Sequence, residues 1–427
     1  MRTMNRTLVS VAVVALVGFL HADAVSAQLG NASSRTLGLA GNATATARRF
    51  EAISVNPAGL GMPGNGFSLA LFPALGQTGL GPVTLGDLSN VAGELVPAST
   101  KQDWLTQITS SDGETGSTGA EFSVLALTAG RMGFQLSLVG GGTVNLNPGI
   151  MELLLYGNAG RTGSPASMAL SGSTADGWAV TTAGWSVGIP IKSEKGSMAV
   201  GATLKYSIGN GIMVGREQSG SLQSEPISVN LAFPVVMTDN DNYEVNQGSG
   251  VGLDVGFQME RDRLHVGAVV LNVFNTFAWD DTKLVFRSGT ASLKEGDNAT
   301  DVDRKAYSSA PALLKTAVED MKFDPTISMG AAYDVQPDFT VTADVRNRFG
   351  DGMSFTPKLH VGAGAEYRGI KALHLRGGAA VVTDGFQLAG GASLILGPVN
   401  FSFATALQKG DPQDAVLGQF TLSFSGR

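Results

Sequence analysis

The 427-residue sequence contains no cysteine. That excludes disulfides, thiolate metal sites, cysteine nucleophiles and a lipid-modified N-terminal cysteine. Charge is scarce as well: Asp, Glu, Lys and Arg make up 15% of the chain, the net charge is −7, and no run of Lys and Arg occurs. Phosphate binding needs a concentrated basic surface, so a nucleic-acid partner is excluded. The histidines are His21, His265, His360 and His374, scattered along the chain. Metal sites need clustered ligands, so no metal and no other cofactor is expected. Trp and Tyr number only 4 and 6, few for the two aromatic girdles of a membrane barrel. Beyond the N-terminus no stretch is long and apolar enough for a spanning helix, although the mean hydropathy is positive at +0.12.

The N-terminus reads as a secretory signal. Arg2 and Arg6 precede an apolar run over 8–20, and Val25-Ser26-Ala27 offers a small-residue cleavage site before Gln28. The run falls short of the ~20 residues that a spanning helix needs. Residues 1–27 are therefore expected to be removed, and export is implied.

A chain that is apolar on average but lacks apolar helices must distribute its hydrophobicity in small parcels. Only helices and closed barrels satisfy every backbone group in lipid. The alternation is plain in the second half. Val251, Leu253, Val255, Phe257 and Met259 share one face, opposite Gly252, Asp254, Gly256 and Gln258. Phe339, Val341, Ala343 and Val345 oppose Thr340, Thr342, Asp344 and Arg346; Phe420, Leu422 and Phe424 oppose Thr421, Ser423 and Ser425. A period of two marks strands, and pairs such as Asp351-Gly352, Asp384-Gly385 and Gly410-Asp411 mark turns between them. Strands are expected near 66–72, 120–129, 131–140, 178–190, 197–207, 250–260, 263–273, 325–334, 338–347, 357–367, 371–382, 386–396, 398–408 and 416–425, with further ones at 150–157, 211–222 and 227–236. The fold class is all-β: an antiparallel transmembrane β-barrel of about 14 strands in the cell outer membrane. A water-soluble β-sandwich shares the alternation, but the export signal and apolar faces that persist to the last strand favour the membrane solution.

Two segments break the strand pattern. Leu85, Leu88, Val91, Ala92 and Leu95 recur at helical spacing, and Ser99 with Gln102 resembles a capping box, so a helical insert is expected near 84–109. A second, near 309–322, follows Pro311, with Leu313, Leu314, Ala317, Val318 and Met321 on one side. Inserts of this kind suit the long loops of one barrel rim.

Catalytic patterns are weak. Gly184-Trp185-Ser186-Val187-Gly188 matches a nucleophile elbow, but it lies in an alternating run with no helix pattern after it, and the motif works only at a strand-to-helix turn. With 57 glycines such matches arise by chance, and no catalytic residue is expected.

The segment Ala52-Ile53-Ser54-Val55-Asn56-Pro57-Ala58-Gly59-Leu60 resembles the N-terminal motif of the long-chain fatty-acid outer-membrane transporter superfamily. Leu37-Gly38-Leu39-Ala40-Gly41-Asn42-Ala43 is similar to the Gly/Ala-rich stretch that opens the plug of that family. The runs 250–256 and 264–272 resemble one of its hairpins, a likeness shared with type IX secretion-associated and conjugal-transfer-like barrels. The resemblance implies an N-terminal plug over 28–65 and a barrel over 66–427. It also implies a barrel passing small hydrophobic compounds such as fatty acids, with outer-membrane lipid and a small hydrophobic ligand as partners. The alternative is a non-catalytic shuttle or structural barrel that works with proteins of a secretion or conjugation apparatus.

Three sets of residues carry expectations. Asn56, Pro57 and Ala58 are expected to form a buried turn joining plug to barrel. Parity puts Lys205, Asp254, Asp344, Arg346, Glu366, Arg368 and Arg376 on the lumen face, since a cation facing lipid near the midplane costs roughly 2–4 kcal/mol. Gly140, Gly141 and Gly142 have two readings: a flexible turn, or an inward kink of an early strand that opens the wall sideways and is closed by the plug near Asn56.

Overall fold

The computed structural model describes residues 29–426, apart from 164–166, 195, 225–226, 295–296, 384 and 411–412. The signal segment 1–27, Gln28, Asp384 and Asp411 lie outside the described residues.

A closed antiparallel barrel of 14 strands forms the body of the protein. In chain order these are β1 Phe67–Gly81, β2 Glu114–Ala129, β3 Met132–Leu146, β4 Thr174–Ile191, β5 Ser197–Arg216, β6 Gly248–Arg261 and β7 Leu264–Asn275. They continue as β8 Thr326–Gln336, β9 Phe339–Arg348, β10 Leu359–Ile370, β11 Leu373–Val382, β12 Gly385–Leu396, β13 Val399–Gly410 and β14 Asp414–Ser425. Each strand pairs with its sequence neighbours, and β1 pairs with β14 from Ser68↔Ser425 to Leu80↔Asp414, so the sheet has no free edge. Closure satisfies the backbone groups that lipid cannot.

Side-chain parity sets inside from outside. Trp185, Leu204, Met329, Val345, Leu388, Phe403 and Leu407 point outward and are exposed. Their inward neighbours Ser186, Thr203, Ser328, Asp344, Gln387, Ser402 and Ala406 are buried. An apolar exterior on a closed barrel is the architecture of an outer-membrane protein, and that is where the barrel belongs. Exposed Phe67, Tyr333, Tyr367 and Phe401 lie near the short turns. Phenylalanine thus makes up part of the interfacial aromatics that the low Tyr and Trp content leaves thin.

The rims differ. Short turns at 130–131, 262–263, 337–338, 371–372 and 397–398 close one end. Connections at 82–113, 147–173, 217–247, 276–325 and 349–358 crowd the other. They carry α3 Leu85–Asn90, α4 Ala98–Ser110, α5 Pro148–Tyr156 and α6 Ala312–Asp320, after the two plug helices α1 Ser34–Gly38 and α2 Phe50–Val55. A five-stranded sheet outside the barrel includes Ser219–Ser224, Ile227–Ala232 and Thr290–Lys294. The long rim is closed largely by apolar packing: Phe277, Trp279 and Phe323 meet edge to face, with Leu314 and Val318 of α6 in the same cluster. Edge-to-face pairs add ~0.5–1.5 kcal/mol beyond burial.

Several expectations need correction. The segment 150–157 is not a strand. Asn147 Oδ1 accepts from Ile150 N at 2.9 Å and Pro148 starts the helix, so capping decides an apolar run that periodicity leaves open. Residues 211–222 divide between the end of β5 and a short strand, and 227–236 divides between Ile227–Ala232 of the outer sheet and the start of Val235–Thr238, which pairs with the end of β5. The insert at 84–109 is two helices. Its capping box is Thr84 with Asp87; α4 starts behind Pro97 without a side-chain cap, so Ser99 and Gln102 do not form one. The kink at Gly140, Gly141 and Gly142 does not exist, nor does a turn. The ladder runs unbroken through them, with Gly140↔Ala120 and Gly142↔Thr118 on one side and Gly140↔Ala179 and Gly142↔Gly177 on the other. Backbone pairing on both edges outweighs the glycines' freedom, and the wall has no lateral opening at this place.

Candidate functional site

The lumen is occupied by residues 29–66, which run round the inside of the wall. Glycines on the inward face make room for them. A Cβ on Gly201 would lie 2.2 Å from the Pro57 carbonyl carbon, and one on Gly188 2.0 Å from Gly61 N. One on Gly267 would lie 2.4 Å from Thr44 O, one on Gly378 2.5 Å from Leu39 C, and one on Gly133 2.7 Å from Ile53 Cγ1. Such a close approach of a second backbone is what glycine in a strand permits. The plug is thus fitted to the wall from β3 to β11.

Asn56 stands at the centre of this fit. It is fully buried. Its Nδ2 donates to Thr44 O at 3.0 Å and to Phe257 O at 3.1 Å, and its Oδ1 accepts from Ala58 N at 3.2 Å. Pro57 opens a 3-10 turn, Pro57–Gly61, that Asn56 caps. The structure places Asn56, Pro57 and Ala58 between α2 and the wall strands β5 and β6, inside the barrel.

The seven parity charges all lie on the inward face. Asp344 Oδ2 accepts from Ala43 N at 3.0 Å and Thr44 N at 2.9 Å. Glu366 gathers three cations: Arg35 of the plug at 3.0 Å, Arg376 at 2.7 Å and Arg368 at 3.0 Å. Arg35 also pairs with Glu51 at 3.2 Å. Burial works against the Arg35 charge, but Glu366 and Glu51 outweigh it and raise its pKa above the ordinary arginine value. On the other side Lys205, 1% exposed, pairs with Asp254 at 2.5 Å and donates to Asn272 Oδ1. Asn272 N donates to Asp254 Oδ1 at 2.7 Å. Asn272 has φ 61, and the β6–β7 register shifts beside it between Leu253 and Val255. The ion pair therefore holds a bulge.

Arg346 differs from the other six. Its Nε is buried without a partner, and no ion pair joins its guanidinium to a described residue; Asp344 and Glu121 act on it only through space. It borders a cavity of about 180 Å³. The cavity floor is plug, with Leu29, Leu37 and Ala40. Its walls include Leu75, Leu271 and Leu417, and its roof is Met353–Pro357 of the β9–β10 loop. Charged groups line it as well, among them Glu121, Lys205, Asp254, Asp324 and Arg348, so the cavity joins an apolar part to a polar part, a form that small-molecule sites share.

Catalytic geometry is not assembled around Ser186. It sits within β4, its hydroxyl 2.7 Å from Thr203 Oγ1, and His360 is engaged elsewhere with Ala40 O at 2.7 Å. Among the described residues no group of three His, Asp or Glu is placed to hold a metal.

No family model and no curated protein matches the sequence. Solved structures do match the fold. The Ralstonia pickettii toluene transporter TbuX superposes with a TM-score of 0.52 at 14% identity, over 94% of this chain and 99% of that one. The P. putida toluene transporter TodX gives 0.50 at 12%, also over 94% and 99%. A TodX deltaS2S3 mutant, a monoaromatic hydrocarbon channel, gives 0.54 at 12% with the same coverage. The chain shares the fold of these transporter barrels.

Within this fold, two features escaped the sequence reading. The first is the set of glycine seats. Their signal was present: Gly184, Gly188, Gly201, Gly256, Gly267 and Gly378 all occupy the face opposite the apolar one. The second is the roof of the cavity. Asp351-Gly352 marks a turn in the sequence, yet the loop that contains it folds into the lumen, an outcome decided by non-local contacts.

Proposed function

We propose that this barrel passes small hydrophobic compounds across the outer membrane, and that carboxylates such as fatty acids are among them. The observation that carries the reading is the cavity between plug and loop. Its apolar side chains suit a hydrocarbon, and the Arg346 guanidinium, whose buried Nε has no partner, suits a carboxylate. A desolvated cation without a direct ion pair is costly; an anionic ligand would supply one. A lumen packed solid by side chains would have favoured a purely structural barrel. The toluene transporters that share the fold support a hydrophobic cargo.

The test is uptake by Gram-negative cells that lack their own transporters for these compounds, with and without the barrel. The barrel is expected to raise uptake of both toluene and a medium-chain fatty acid. Arg346→Gln is expected to cut fatty-acid uptake by about tenfold, since hydrogen bonds to charged groups are worth ~1.5–3 kcal/mol, and to leave toluene uptake unchanged. No rise in either uptake contradicts the transport reading. Equal loss of both in Arg346→Gln contradicts the carboxylate assignment.

A further inference from the structure

We infer that the β9–β10 loop is a lid over the cavity, and that Phe355 is the residue that shuts it. The other long connections at this rim form helices and a separate sheet, and 276–325 packs Phe277, Trp279 and Phe323 over part of it. The loop 349–358 turns inward and crosses the lumen. It leaves β9 and rejoins β10, yet its tip reaches β1, β2 and β3 on the far side of the lumen. Gln77 Nε2 donates to Phe355 O at 3.2 Å, and the Phe355 ring packs with Leu75 and Leu417.

The ring has a seat made for it. A Cβ on Gly119 would lie 2.5 Å from Phe355 Cγ, and one on Gly141 3.4 Å from Phe355 Cδ1. Gly119 and Gly141 are cross-strand partners, so two missing side chains form one socket. Gly188, Gly201, Gly267 and Gly378 accommodate plug backbone; here two glycines together accommodate an aromatic side chain from the opposite wall. The seat lies one inward position further toward the long rim than Glu121 and Val139, which border plug residue Gly30. Phe355 therefore stands between the plug and the outer rim.

The loop is fastened at Gly352, Met353 and Thr356, on either side of a lightly held tip at Phe355. Met353 N donates to Lys322 O at 2.5 Å, Gly352 N to Asp324 Oδ2 at 2.7 Å, and Arg348 Nη2 to Thr356 O at 3.3 Å. A Cβ on Gly350 would strike Asp324 at 2.2 Å, so this part of the base is close-packed. The tip has one hydrogen bond across the lumen and a ring in a socket. Loss of the ring, or of the socket, is enough to release it. This closure does not depend on what the cavity binds.

The natural chain has no cysteine, so a single Ser328→Cys reports on the cavity, which Ser328 borders. The rate of its modification by a small charged thiol reagent is measured on the folded barrel in lipid nanodiscs, with folding checked by heat-modifiable migration. Phe355→Ala and Gly119→Ala are each expected to raise the rate by about tenfold or more, the shift expected when a closed state loses most of its advantage. Gly119→Ala retains the ring and fills its seat. Gly76→Ala is the control, because a Cβ there meets nothing within 4 Å, and it is expected to leave the rate unchanged. Unchanged rates in both Phe355→Ala and Gly119→Ala overturn the lid, as does an equal rise in Gly76→Ala.

Discussion

Replacing Asp254 with leucine is expected to destabilise the barrel by about 3–5 kcal/mol, the usual cost of stranding one member of a buried ion pair. Lys205 is 1% exposed and would keep its ammonium in the lumen wall without its paired carboxylate. The same substitution removes the acceptor for Asn272 N, which holds that residue at φ 61. A non-glycine residue in this region persists only where its surroundings over-determine it. Leu271, next in the chain and bordering the cavity, is expected to lose its position with it. The double variant Lys205→Met with Asp254→Leu is expected to recover most of the loss caused by the stranded charge, but not the part due to the bulge. Urea unfolding in lipid vesicles measures both. An Asp254→Leu midpoint equal to that of the parent contradicts the reading.

Asn56→Leu is the second large effect. Leucine has the branched outline of asparagine but is bulkier, and it cannot donate to Thr44 O and Phe257 O or accept from Ala58 N. Each buried polar group left unpaired costs ~1–3 kcal/mol, so a total of roughly 2–4 kcal/mol is expected. The loss falls on the seam between plug and wall rather than on the ladder. A Cβ on Gly256 would lie 2.0 Å from Asn56 Oδ1, so the leucine cannot be absorbed by a shift toward β6. Planar-bilayer recordings are expected to show larger and noisier conductance than the parent, while heat-modifiable migration still reports a closed barrel. A silent bilayer with unaltered stability would show that the plug is held by other contacts.

The barrel was legible because its physics is local. Lipid on one side and a filled lumen on the other impose a period of two, and Val251, Leu253, Val255 and Phe257 obey it in sequence as they do in β6. The same parity assigned Glu366 and Arg376 to the interior. Legibility failed where the deciding contact was distant. Gly140, Gly141 and Gly142 look locally like a break, but β2 and β4 pair with them on both edges, and the inward Gly141 borders the Phe355 socket. The run after Asn147 was ambiguous between strand and helix until its cap was seen. The cavity could not be read at all. It exists because a loop between β9 and β10 meets a wall built from β1, β2 and β3, and no spacing in the sequence encodes that meeting.

The most direct measurement is photolabelling with a diazirine-bearing fatty acid and a diazirine-bearing aromatic hydrocarbon, followed by peptide mapping of the barrel in lipid. The account predicts saturable labelling of two regions distant in sequence, the plug around Leu29, Leu37 and Ala40 and the loop around Met353 and Phe355, with excess unlabelled compound competing at both. Labelling confined to outward residues such as Trp185, Leu388 and Phe403, without saturation, would place these compounds in the bilayer alone and contradict a hydrophobic cargo inside the barrel.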